Sequence, residues 1–156
     1  MAEDVRTIIQ KRLNNVKARM ATKLAKRTAS GATVASLQVV MGNSGGALFG
    51  ASHLLTLERG RGPGKVPYGF VGIIKQWIQD KGLSYSSEKD LNSFAGAVAY
   101  NIMKKGTAQY RAKRYEDIYT TAIEEETKEL AREAAEYIGL QIHKANEKFA
   151  KGKNGN

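Results

Sequence analysis

The sequence predicts an α+β fold: amphipathic helices packed on a small antiparallel hairpin, with a long helix at the C-terminal end. Three observations predict it. Apolar residues recur at spacings of three and four over most of the 156 residues, which is the period of a helix with one buried face. A single uncharged stretch, residues 31–57, breaks that period and alternates instead. The last apolar stripe runs from about residue 114 to 149, longer than one globule of this size covers unaided.

The first helix spans Asp4 to about Arg27. Val5, Ile8, Ile9, Leu13, Val16, Met20 and Leu24 form its stripe, and Ser30-Gly31 ends it. In the uncharged stretch, Ala35, Leu37, Val39 and Met41 alternate with Ser36, Gln38 and Val40, the pattern of a half-buried strand. Gly42-Asn43-Ser44-Gly45-Gly46 supplies a turn, and Leu48 to Leu57 reads as the second strand. A hairpin alone is unstable in water, so it must pack on helices or pair with another chain.

Glu58 to Pro67 is a loop rich in glycine and arginine. Pro67 suits the start of a helix over 68–81 with Val71, Ile74, Trp77 and Ile78 facing inward, ended by Gly82. Ser87 caps a helix over 88–105, whose inward face is Leu91, Phe94, Val98, Ile102 and Met103, ended by Gly106. The final helix starts near Arg114. Its stripe is Tyr115, Ile118, Ala122, Ile123, Leu130, Ala134, Tyr137, Ile138, Ile142 and Phe149, with Gly139 a place where it could bend. Residues 1–150 read as one domain, and 151–156 as a disordered tail.

Charge is segregated along the chain. Residues 1–30 carry eight basic and two acidic groups, 58–115 eleven and four, and 116–139 two and eight; the whole chain is +10. Such a balance points to polyanions or to complementary copies as partners. Glu124, Glu125, Glu126, Glu129 and Glu133 are expected to face Arg12, Arg19 or Lys23 of a neighbouring copy.

Chemistry-bearing motifs are sparse. Cysteine is missing, which excludes disulfides and thiolate zinc sites. Gly60-Arg61-Gly62-Pro63-Gly64-Lys65 fails as a phosphate-binding P-loop. Arg59 stands where its first glycine belongs, Val66 replaces the Ser or Thr that holds magnesium, and Pro63 lacks an N–H. His53 and His143 each lack a second histidine at ligand spacing. No serine sits in a nucleophile elbow. The expectation is therefore no catalytic residue, no metal, no cofactor and no small-molecule substrate. No apolar run reaches the length of a membrane span. Trp77 with Tyr68, Phe70 and Tyr85 could be a base-stacking platform, but its place on an apolar stripe favours the core.

Leu57-Glu58-Arg59-Gly60-Arg61-Gly62-Pro63-Gly64-Lys65-Val66-Pro67 is followed by Ile74, Trp77-Ile78 and Lys81-Gly82-Leu83, and then by Phe94-Ala95, Ile102 and Lys105-Gly106-Thr107. This succession, about residues 35–107, resembles the neck and tail-completion proteins of tailed bacteriophages, small head–tail joining subunits. Members of that family have a strand ending in a Glu-x-Gly or Arg-Gly-Arg loop and a Lys-x-Pro step. A short helix bearing Trp and ending Lys-Gly comes next, then a helix ending Gly-Thr. They commonly continue with an Arg-Pro-Phe-like segment. Here Ala108 to Ala112 stands in its place, and a long acidic helix comes after it.

The resemblance implies a structural virion protein, assembled in the host cytoplasm. It would form a ring of six or twelve copies at the portal vertex, around the channel through which DNA passes. Its partners would be identical copies, adjoining neck, portal or tail proteins, and lumenal DNA. The loop residues Arg59, Arg61, Gly62, Gly64 and Lys65 would touch an adjacent ring or DNA, since glycines permit close approach and arginines grip carboxylates or phosphates. The alternative is a sequence-neutral DNA-binding protein that lays its basic first helix, Lys104-Lys105 and Arg111-Lys113-Arg114 along phosphates.

Overall fold

The computed structural model describes residues 4–26 and 31–153. Helices dominate, one two-stranded antiparallel sheet interrupts them, and a long helix closes the chain, an α+β fold. The chain forms two compact units. The first comprises Met1–Thr22, Leu37–Phe49 and Tyr119–Asn156; the second comprises Lys23–Ser36 and Gly50–Ile118.

The first unit contains most of α1 (Val5–Ala25), the hairpin and α7 (Thr120–Lys153). Along α1, Ile8, Val16, Met20 and Leu24 are buried, as the spacing requires. The expected stop at Ser30 lies outside the described residues, while Gly31 has the positive φ (71°) of a chain reversal. Strand β1 (Gln38–Met41) pairs with β2 (Gly46–Phe49) in the register Gln38↔Phe49 to Met41↔Gly46. Leu37 is buried and Val39 and Met41 are half-buried, so the alternation holds. The turn spans four residues, closed by the Gly42 amide donating to the Gly45 carbonyl at 2.8 Å. A Cβ on Gly46 would come within 2.7 Å of Leu13 and 2.5 Å of Met41. Glycine there lets the hairpin lie against α1.

Both strands are shorter than expected. Ala35 belongs to a one-turn helix, α2 (Ala32–Ala35), and is exposed. The second strand stops at Phe49, and the remainder of the predicted strand turns into α3 (Leu54–Arg59). Leu54 and Glu58, one helical turn apart, are both buried, while Leu55 between them is 71% exposed.

The second unit is built on α4 (Phe70–Asp80) and α5 (Glu88–Lys105), whose core is Ile74, Ile78, Leu91, Ala95 and Ala99. Helix α4 ends at Gly82 (φ 64°), where the Gly82 and Leu83 amides donate to the Gln79 and Ile78 carbonyls at 2.9 and 3.1 Å. Ser87 caps α5, its hydroxyl accepting from the Asp90 amide at 3.2 Å. The seam is narrower than the stripes suggested. Ile74 and Ile78 of α4 are buried against Leu91, Ala95 and Ala99, with Phe70, Val98 and Ile102 packed partly buried around them. Val71, Trp77 and Phe94 fall on the flanks, 41%, 44% and 51% exposed. Trp77 is thus a surface residue rather than part of the core.

Helix α7 starts six residues later than expected. The short α6 (Ala108–Arg111) is followed by Lys113 at φ 49°, and the amides of Glu116 and Ile118 are held by Glu58. Tyr115 is therefore outside the helix and 70% exposed. Once started, α7 runs through Gly139 unbroken, although glycine costs a helix interior about 1 kcal/mol relative to alanine. It also includes Lys151–Lys153, expected to be tail; the rest of that tail, 154–156, lies outside the described residues.

Leu91 has no exposed surface and Phe94 is half out of the seam. Leu91→Ala is expected to cost about 3 kcal/mol in urea unfolding, and Phe94→Ala less than about 1 kcal/mol.

Candidate functional site

Two surfaces carry the residues that the sequence singles out. In the second unit, the glycine-arginine loop leaves α3 and folds onto the segment after α5. The Arg61 amide donates to the Thr107 hydroxyl at 3.0 Å, the Thr107 amide to the Arg61 carbonyl at 2.8 Å, and the Gly64 amide to the Met103 carbonyl at 2.9 Å. A Cβ on Gly60 (φ 75°) would sit 2.6 Å from the Tyr110 amide nitrogen, and one on Gly106 (φ 76°) 2.6 Å from the Arg61 carbonyl. Gly62 faces the Tyr110 ring, 3.3 Å from where its Cβ would be, whereas Gly64 (φ 134°) has open space around it.

These glycines thus serve close approach within the chain. The Arg61 guanidinium donates to the Lys65 carbonyl and lies 5.8 Å from the centre of the Phe70 ring. Glu58 and Arg59, expected in the loop, end α3 instead; Arg59 and, in the loop, Lys65 are exposed, so these two cations project outward.

The buried Glu58 organises the stretch between α6 and α7. Its carboxylate accepts from the Ile118 amide at 3.2 Å, and its carbonyl accepts from the Glu116 amide (2.9 Å) and the Gln109 side chain (2.8 Å). Sequence reasoning missed it, because a glutamate beside Arg59 reads as a solvated charge. Exposed Trp77 lines a shallow groove with Val98, Asn101, Ile102, Lys105 and Arg111. The Arg111 guanidinium is anchored there on the Gly106 carbonyl at 2.7 Å. Lys104, Lys105, Lys113 and Arg114 are exposed.

In the first unit, the basic residues of α1 meet the carboxylates of α7, and they do so within one chain. Arg12 grips Glu133 with two bonds, Nε to Oε2 at 3.0 Å and Nη2 to Oε1 at 2.6 Å, and donates through Nη1 to Glu126 at 2.9 Å. Glu126 also accepts from Asn15 at 3.1 Å and from Arg19 at 3.3 Å. Arg19 pairs with Glu125, Lys11 reaches Glu133 at 3.3 Å, and Glu129 stands 3.5 Å from Arg12. Partners for Arg12 lie later in α7 than those for Arg19, so the two helices run antiparallel.

The contact foreseen between copies is therefore made inside the chain. Long charged side chains on facing helices find the nearest opposite charge, and α1 delivers it. Lys23 takes a different partner, Asp117 at 2.6 Å, and Glu124 is on the exposed side of α7.

The pairing shifts both carboxyls. Hydrogen bonds from Arg12 are the largest influence on Glu133 and hold it at about 2. For Glu126, burial pushes upward, but the bonds from Arg12, Asn15 and Arg19 together outweigh it and the net shift is downward.

Other chemistry is thin. His53 Nε2 is 2.9 Å from the Thr33 hydroxyl, and His143 is 3.3 Å from Glu147 on the same face of α7. Among the described residues no group of three or more His, Asp and Glu could hold a metal ion, and no helix is long and apolar enough to cross a membrane. The chain matches no protein-family model, no curated protein and no solved structure.

A carboxyl held below its ordinary value stabilises the fold above that value and ceases to as pH falls through the lowered one. Contributions from Glu133 should be complete above about pH 4.5 and lost as pH falls toward about 2. Arg12→Gln is expected to raise the midpoint of acid unfolding, monitored by circular dichroism at 222 nm, and to lower the urea midpoint at pH 7.

Proposed function

We propose that this protein is a non-catalytic structural subunit that acts by assembling with copies of itself, as a ring in the neck of a tailed bacteriophage. One observation supports the assembly half of this reading: the later part of α7 is exposed along its length. Ile138, Leu140, Ile142 and Phe149 are 52%, 52%, 56% and 71% exposed, and every residue from Ile138 to Lys151 is exposed. A helix that is apolar where it meets water is most stable when another surface covers it. The neck half rests on the resemblance across residues 35–107.

Within this reading the loop and the groove have distinct uses. Arg59 and Lys65 present charge to an adjacent ring or to lumenal DNA, while Arg61 and the glycines shape the loop. The exposed cations from Lys104 to Arg114 offer a surface that tracks phosphates. That patch is the remaining basis for a DNA-binding reading. The first helix supports it less, since Arg12, Arg19 and Lys23 are already committed to carboxylates.

Electron micrographs of the purified chain at high concentration, or of virions labelled through it, should show closed rings of six or twelve copies. A strictly monomeric species in both would overturn the reading. Tight duplex binding that collapses between 50 and 200 mM salt, with no rings, would favour the DNA-binding alternative.

A further inference from the structure

Trp77 stands 44% exposed on the flank of the α4–α5 seam, although its place on an apolar stripe predicts burial. It lines a shallow groove with Val98, Asn101, Ile102, Lys105 and Arg111, and no acidic side chain lines that groove. All of these residues belong to the second unit, so the groove lies within one body of the chain.

We propose that this groove binds single-stranded nucleic acid, with a base stacked on the Trp77 indole and the phosphates held by Lys105, Arg111 and the cations beyond them. This differs from a contact along duplex phosphates, and it needs only one copy of the chain. Charge, hydrogen-bonding capacity and the exposed ring together select the occupant.

From Leu91 to Tyr115 the chain has five cations, Lys104, Lys105, Arg111, Lys113 and Arg114, and no carboxylate. All five are exposed, and among the described residues none is paired with a carboxylate. By contrast Arg12, Arg19, Lys23, Lys75 and Arg132 are each answered by Glu or Asp. Arg111 is held in place by the Gly106 carbonyl at 2.7 Å, which engages one N–H and leaves its other donors for a phosphate. A row of cations suits a chain of phosphates rather than a single one.

Hydrogen bonding separates a base from an acidic peptide. Gln109, also in the lining, uses its amide nitrogen on the Leu57 and Glu58 carbonyls at 3.0 and 2.8 Å, which leaves its oxygen as an acceptor. Asn101 gives one N–H to the Ala97 carbonyl at 3.1 Å and keeps one donor and one acceptor, the complement of a base edge. A glutamate side chain has no proton to offer either oxygen, whereas base N–H and amino groups do.

The ring sets the strandedness. A base can lie on Trp77 only when it is out of its own stack, as in a single strand; in a duplex its neighbours cover both faces. Every base has such a face, so the expected binding is sequence-tolerant.

Trp77 is the only tryptophan of the chain, so its emission reports on the groove directly. A twelve-nucleotide thymidine oligomer should quench it saturably in about 20 mM salt, and the quenching should reverse toward about 200 mM. Anisotropy of the labelled oligomer should separate stacking from apolar contact. Trp77→Leu should bind roughly tenfold or more weakly, and Trp77→Phe should keep most of the affinity. Lys105→Gln with Lys113→Gln should lower the slope of log K against log salt by about 1.4, or about 0.7 for each lost phosphate contact. Lys128→Gln with Lys144→Gln, exposed on α7, should leave it unchanged.

No quenching at low salt would overturn the proposal. Equal affinity in Trp77→Leu and the parent would do so too, as would a slope indifferent to Lys105 and Lys113. Equally tight binding of a duplex of the same length would reduce the groove to a phosphate patch and reject the single strand. Saturable quenching by a polyglutamate peptide of equal charge would assign it to an acidic peptide and reject the proposal as well. Rings without quenching would dismiss the groove and leave the ring reading intact, and quenching in a monomer that never forms rings would do the reverse.

Discussion

Arg12 is the constraint around which the first unit is arranged. A guanidinium only 12% exposed must have its charge answered, and Glu126 and Glu133 answer it with three hydrogen bonds. Because those carboxylates are seven residues apart, they bring two turns of α7 against one residue of α1 and set the two helices antiparallel. Asn15 and Arg19 extend the contact along Glu126. This grip decides which side of α7 is covered, and so which side is left open.

The grip also reassigns the charge of the chain. A basic opening segment and an acidic later one read as complementary ends of separate molecules. With Lys11, Arg12 and Arg19 engaged by α7, and Lys23 by Asp117, much of that complementarity is used within a single copy. The charges left projecting are of another kind: Arg59 at the end of α3, Lys65 on the loop and the cations from Lys104 to Arg114.

The second unit shows how a loop rich in glycine and arginine can be an ordered structural part. Gly60 and Gly106 approach Thr107, Tyr110 and Arg61 at distances no side chain would permit, and Arg61 folds back onto the loop it belongs to. Glu58 then pins the stretch after α6. The same residues that resemble a phosphate grip therefore brace a scaffold, from whose surface Arg59, Lys65 and the groove beside Trp77 are displayed.

Local signals in the sequence were sufficient for α1, for α5 from Ser87 to Gly106, for the stop of α4 at Gly82 and for the existence of the hairpin. Each depends on periodicity, a capping hydroxyl or a positive-φ glycine, which act over a few residues and need no distant partner. The tertiary structure decided the rest. It turned residues 54–59 from strand to helix to bury Leu54 with Glu58, and delayed α7 until Glu58 released the chain. It also left Trp77 and Phe94 on the flank of the seam that buries Ala95 and Ala99. It set Arg12 against Glu126 and Glu133 of the same chain, and thereby decided which side of α7 is covered. A stripe in the sequence says that a face is apolar; only the arrival of another element, shaped and charged to meet it, determines whether that face is buried.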